Sequence, residues 1–207
     1  MGTFYSSQGD IMAMILKNSM FIHIPKCGGR WTKQMLEDHT SARHVGDPIY
    51  DSHDSPEYDG NVFCIVREPA TFAHSLWHHR AKKKANRFGH KFNWQEYIRL
   101  EKECQSEDYL TFMNNVGESK DAVWDYYQHY VGKYNDVYYA RMENMAEDLV
   151  DILGKLGEDH NHNGILDSSK NVIGKGTSDE TVEESLRLKI NNANAAFCRT
   201  FGYKLNG

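Results

Sequence analysis

No stretch of this chain is long and apolar enough to cross a membrane, which takes about 20 such residues in a row. The N-terminus also lacks the basic region and apolar run of a secretory leader. We therefore expect a cytoplasmic protein, or a trimmed piece of a longer one. There is no excess of positive charge: 24 Lys and Arg face 29 Asp and Glu, for a net charge of −5. Such a surface is not a general polyanion binder, and nucleic acid is not expected as a partner. The four cysteines, at 27, 64, 104 and 198, show no paired spacing. That argues against a disulfide framework and fits free thiols in a reducing compartment. No internal repeat is visible. Within 207 residues, 40% hydrophobic and 26% charged content describe one soluble globular domain over 1–207, with residues 1–10 as a loose tail.

The richest stretch runs from Ser19 to Thr32. Ser19-Met20-Phe21-Ile22-His23-Ile24 reads as an apolar strand, Pro25-Lys26-Cys27-Gly28-Gly29 as a tight turn, and Arg30-Trp31-Thr32 as the start of an amphipathic helix. Glycines let backbone approach an oxyanion, and a helix N-terminus presents unpaired N–H groups and partial positive charge. Lys26 adds a full charge. A phosphate-like guest follows, although a glycine turn between strand and helix would use the same residues for packing alone. The order is not that of the Walker loop, in which Lys follows the second Gly. Cys27, at a helix start beside a lysine, is also a candidate for a reactive thiol.

A second stretch, Asn61-Val62-Phe63-Cys64-Ile65-Val66, is an unbroken apolar run of strand length, as expected for a strand buried on both faces. It leads into Arg67-Glu68-Pro69 and a helix bearing Ser75. Guanidinium is a planar fork suited to phosphate oxygens.

Together these stretches resemble sulfotransferases that use 3′-phosphoadenosine 5′-phosphosulfate. Pro25-Lys26-Cys27-Gly28-Gly29-Arg30-Trp31 resembles their 5′-phosphosulfate loop, with Cys27 in place of a hydroxyl residue and Arg30 in place of a threonine. Thr32 offers a hydroxyl one position later. Arg67 and Ser75, eight residues apart, match the family's pair for the donor's 3′-phosphate, and Glu68 stands for its aspartate. Arg141-Met142-Glu143-Asn144-Met145 and the closing Phe197–Tyr203 segment fit more loosely. The resemblance covers roughly residues 19–205 and is weakest between 80 and 130.

The resemblance implies an α/β, three-layer P-loop-NTPase-like fold with a central parallel sheet flanked by helices. It implies an enzyme that moves a sulfuryl group from that donor to a hydroxyl or amine of a small-molecule or carbohydrate acceptor. Pro25, Lys26, Cys27, Gly28, Gly29, Arg30, Trp31, Thr32, Arg67 and Ser75 would bind the donor, and no metal is required by the chemistry. Lys26 suits charge stabilisation on the leaving oxygens, and a histidine suits removal of the acceptor's proton. His44, 23 residues before Arg67, is the first choice as base, His53 the second, and Glu57 a distant third. The alternatives are a nucleotide or small-molecule kinase on a related fold and a non-catalytic anion-binding module. The sequence is silent on acceptor and oligomeric state.

Other elements follow from pattern. Strands are expected at 19–24, near 43–46, at 61–66 and at 136–141. Helices are expected at 29–38, 70–85, across 93–133, at 145–156 and at 179–198, with a polar loop over 158–178. Trp94, Tyr97, Leu100, Tyr109, Phe112, Trp124 and Tyr127 are expected to pack inward. His78-His79-Arg80 with Lys82-Lys83-Lys84 reads as a solvated basic face. Asp159 to Lys170 has the ligand spacing of a calcium loop at its first positions but Lys where the bidentate Glu belongs, so a polar turn is expected.

Overall fold

The computed structural model describes residues 13–44, 56–82, 94–95, 97–169 and 182–205. These fall into two compact units, each gathered from separate stretches. A sheet unit takes 13–24, 28–44, 56–65 and 133–169; a helical unit takes 25–27, 66–82, 94–95, 97–132 and 182–205.

Among the described residues, five strands form one sheet: β1 (Ala13–Ile15), β2 (Ser19–Ile22), β3 (Arg43–His44), β4 (Asn61–Val66) and β5 (Val137–Arg141), in the order β3-β1-β2-β4-β5. The expected β2 and β4 pair in parallel, with Phe21 opposite Phe63 and Ile22 opposite Cys64. Both strands are buried on both faces, and the Phe21 and Phe63 rings lie 5.4 Å apart. The sheet as a whole is mixed, which corrects the expectation of a parallel one. β1 runs antiparallel to β2 as a hairpin, and β3 runs antiparallel to β1.

That hairpin is sealed from far away in sequence. Glu158 accepts from the backbone N–H groups of Lys17 (3.2 Å) and Asn18 (2.8 Å) and from the Ser19 hydroxyl (2.6 Å). Asn18 in turn donates to the carbonyls of Leu156 and Gly157.

Helices of the sheet unit are α1 (Gly29–His39), with α6 (Met145–Lys155) and α7 (His162–Ser169) numbered further along the chain. On α1, Gly29, Thr32, Met35 and Leu36 are buried at helical spacing, and the other positions are half-buried or exposed. α6 packs on β5, and α7 packs on α1 and α6. α7 corrects the expected loop. Asn161 precedes it and its side chain accepts the Gly164 N–H at 3.1 Å, a helix-start contact, while Ile165 is fully buried. The helix replaces the calcium-loop geometry.

The helical unit holds α2 (Pro69–Lys82), α3 (Arg99–Cys104), α4 (Tyr109–Glu118), α5 (Ala122–Val131), α8 (Glu184–Ala193) and α9 (Ala195–Phe201). Its core is aromatic: Phe72 packs on Tyr126 and Tyr127, and Phe197 packs on Tyr127 and Trp124. Leu100, Phe112 and Tyr127 are buried as expected, but Tyr97 is 55% exposed. Where one final helix was expected, Asn194 breaks it. This fully buried amide donates to the Ile190 carbonyl and accepts the Val123 N–H. The basic face over 78–84 is corrected at Arg80, which is buried and ion-paired with the fully buried Glu101. Lys83 and Lys84 lie outside the described residues.

Candidate functional site

In the helical unit, the turn Pro25–Cys27 and the chain after β4 converge on one atom, the hydroxyl of Tyr127. The ring sits on α5, fully buried. Its oxygen accepts the Arg67 backbone N–H at 3.0 Å and lies 2.9 Å from the Cys27 sulfur. Burial pushes this phenol well above its usual range and the Cys27 thiol adds to the effect, while the Arg67 N–H works against it. The phenol therefore stays neutral at physiological pH.

Arg67 closes a second link. Its Nη1 donates to the Lys26 carbonyl at 3.2 Å, 41 residues away, and its Nε donates to the Thr71 hydroxyl at 3.2 Å. Thr71 donates onward to the Glu68 carbonyl. Lys26 itself is in the left-handed region, with φ of 68°, a conformation that costs a residue with a Cβ roughly 1–2 kcal/mol. The Arg67 guanidinium braces the carbonyl of that turn. Ser75 is buried on α2, one turn beyond Thr71 and on the same helical face. Glu68 is buried and accepts from Arg187 (2.6 Å) and Asn191 (2.9 Å) of α8, so it anchors that helix. Lys26, Cys27, Arg67 and Ser75 are thus gathered in one unit. Tyr127 was legible in the sequence only as a core aromatic.

The sheet unit receives the rest of the loop. Gly28 has φ of 73°, and a Cβ there would lie 2.6 Å from the Met145 sulfur. A Cβ on Gly29 would lie 1.8 Å from the His23 ring. Gly28 is favoured by its left-handed backbone and Gly29 by the close approach of the His23 ring. Arg30 is exposed and Trp31 half-buried. Thr32 is buried, and its hydroxyl and backbone N–H both meet the Gly28 carbonyl, at 3.3 and 3.1 Å. That hydroxyl is turned into the helix.

His44 sits on the edge strand β3, opposite Met14 of β1, which in turn faces Phe21 of β2. Two strand spacings separate His44 from β2, roughly 10 Å. Its Nε2 is hydrogen-bonded to the Glu37 carboxylate of α1, and both side chains are 39% exposed. His53 lies outside the described residues. Glu57 is exposed and ion-paired with Lys133 at 3.1 Å. Among the described residues, no group of three or more His, Cys, Asp or Glu side chains is placed to hold a metal ion. All four cysteines are free and buried, and burial raises the thiols of Cys104 and Cys198 to about 11 and about 12. Against known proteins, the chain matches no family model, no curated protein and no solved structure.

Proposed function

We propose that this chain transfers a sulfuryl group from 3′-phosphoadenosine 5′-phosphosulfate to an acceptor hydroxyl or amine. One observation carries the reading. The turn carrying Lys26 and the chain at Arg67, singled out in the sequence as two separate anion motifs, are joined by the hydrogen bond from the Arg67 guanidinium to the Lys26 carbonyl and by the Tyr127 hydroxyl, which meets Cys27 and the Arg67 N–H. A donor with phosphates at both ends needs two such cations at a set separation.

In this reaction the acceptor oxygen or nitrogen bonds to sulfur as the bond from sulfur to the bridging oxygen breaks. The electron pair leaves with the 5′-phosphate, and the acceptor proton goes to a base. Lys26 stabilises charge that peaks on the bridging oxygen. Arg67 and Ser75 hold the 3′-phosphate in this reading. His44 is the base in this reading, and its hydrogen bond with Glu37 orients the imidazole.

Calorimetry with adenosine 3′,5′-bisphosphate, AMP and ATP tests the donor. The bisphosphate is expected to bind far more tightly than either. Equal affinity for AMP would remove the 3′-phosphate site, and preference for ATP with magnesium-dependent turnover would make the protein a kinase. His44→Ala is expected to lower turnover about 100- to 10,000-fold with donor affinity nearly intact. An active His44→Ala beside an inactive His53→Ala would assign the base to His53.

A further inference from the structure

We propose that Tyr127 is a positioning residue that fixes the spacing of Lys26 and Arg67, so that the site selects ligands with two anionic groups over ligands with one. The inference rests on the sulfotransferase reading for the identity of the ligand, and on the helical unit alone for its geometry.

Three contacts carry it. The Tyr127 oxygen accepts the Arg67 N–H, which sets the backbone from which the guanidinium extends. The same oxygen meets the Cys27 sulfur, the residue directly after Lys26. The Arg67 Nη1 then reaches the Lys26 carbonyl, closing a ring of contacts through both cationic residues. The anchor is rigid. The Tyr127 ring is fully buried and packs on Phe72 and Phe197, with centroids 5.6 and 5.1 Å away. Because one oxygen serves both stretches of chain, the backbone at Arg67 and the turn that carries Lys26 cannot separate without breaking a contact at that oxygen.

This also gives a reason for Cys27 where the resembling loops carry a hydroxyl residue. The side chain is buried and points at a phenol, with a further contact to the Pro25 carbonyl at 3.6 Å. Its role is inward, toward Tyr127, and the ligand is left to Lys26 and the backbone. The ordinary cost of a misplaced binding group is large, since a small displacement weakens every contact that depends on its direction.

The test uses the full chain and two conservative variants. Tyr127→Phe keeps the ring and removes the oxygen. Tyr126→Phe is the control: it is equally buried on the same helix and packs on Tyr130 and Phe72. Affinities for adenosine 3′,5′-bisphosphate and for AMP are measured on each. Tyr127→Phe is expected to lower bisphosphate affinity about tenfold and AMP affinity much less, so the ratio collapses. Tyr126→Phe should leave the ratio unchanged, since a loss of stability alone does not alter selectivity. Exchange of the Arg67 amide and alkylation of Cys27, mapped by mass spectrometry, give a readout free of any ligand. Both should quicken in Tyr127→Phe and in neither case in Tyr126→Phe.

A wild-type protein without preference for the bisphosphate would sink the sulfotransferase reading, while the exchange and alkylation data would still decide the clasp. Unchanged Arg67 exchange with an unchanged affinity ratio in Tyr127→Phe would overturn the proposal. Should that variant fail to fold, Cys27→Ala cuts the same clasp from the other side and is expected to give the same collapse; a retained ratio there overturns it as well.

Discussion

Gly29 shows how one missing side chain decides a turn. Its Cα faces the His23 ring so closely that a methyl group would overlap it. Gly29→Ala is expected to lower stability by roughly 1–3 kcal/mol, the usual cost of overpacking. Denaturant titration checks this, and pairing it with His23→Ala should recover most of the loss. Equal loss in the paired variant would point to the backbone instead. Arg67 is expected to carry two roles. Arg67→Ala should weaken binding of the bisphosphate by about 1.5–3 kcal/mol, the range for hydrogen bonds to charged groups. It should also lower stability without ligand, because the Lys26 carbonyl and the Thr71 hydroxyl lose their donor. A variant with unchanged affinity would remove Arg67 from the ligand. Lys26 and Arg67 stand out in the sequence because glycine, proline and guanidinium chemistry leave local marks, whereas Ser75 is singled out only by the resemblance. Tyr127 does not stand out, since nothing near it in sequence distinguishes a core tyrosine from one whose hydroxyl serves residues 60 and 100 positions away.

Elements differ in how far their own residues dictate them. β2, β4, α1, α6 and β5 were readable because each carries an apolar run or stripe of full length. β1 has three residues and no period to read, and only its pairing with β2 makes it a strand. α7 is rich in His, Asn and Ser and reads as loop; Ile165 and the Asn161 contact turn it into helix. The step from β5 into α6 rests on Asp148. Its carboxylate accepts from the Arg141 backbone N–H (2.9 Å), the Arg141 guanidinium (3.0 Å) and the Asn144 amide (2.6 Å). Burial pushes this carboxyl up, but the Arg141 and Asn144 hydrogen bonds outweigh it and hold the group below its ordinary value. A depressed value in the folded state means stability that is present above about pH 3.9, the unfolded value, and lost as pH falls through the folded one. Asp148→Asn is therefore expected to cost roughly 1–2 kcal/mol at pH 7 and much less below pH 3. Thermal melts across that range check it, and a pH-independent difference would rule out the charge as the cause.

At the scale of the whole molecule, both units are sewn from distant stretches of chain. The alternation of strand and helix conveyed an α/β protein but concealed the antiparallel hairpin, whose first strand is three residues long and whose turn is held by Glu158. The amides of Lys17 and Asn18 meet a carboxylate 140 residues or more further along. Glu158 must therefore be made before the Lys17 and Asn18 amides can find their acceptor. Until then the β1–β2 turn waits with its N–H groups hydrated, and early synthesis yields a hairpin without its latch. Hydrogen exchange on stalled nascent chains makes this timing visible. A chain halted just short of Glu158 should leave the Lys17 and Asn18 amides open, and the released protein should protect them. Protection already present on the halted chain would mean that the hairpin seals itself. The β1–β2 turn is, on this account, latched by a residue 140 positions beyond Asn18, so the sheet is not completed in the order in which its residues are made.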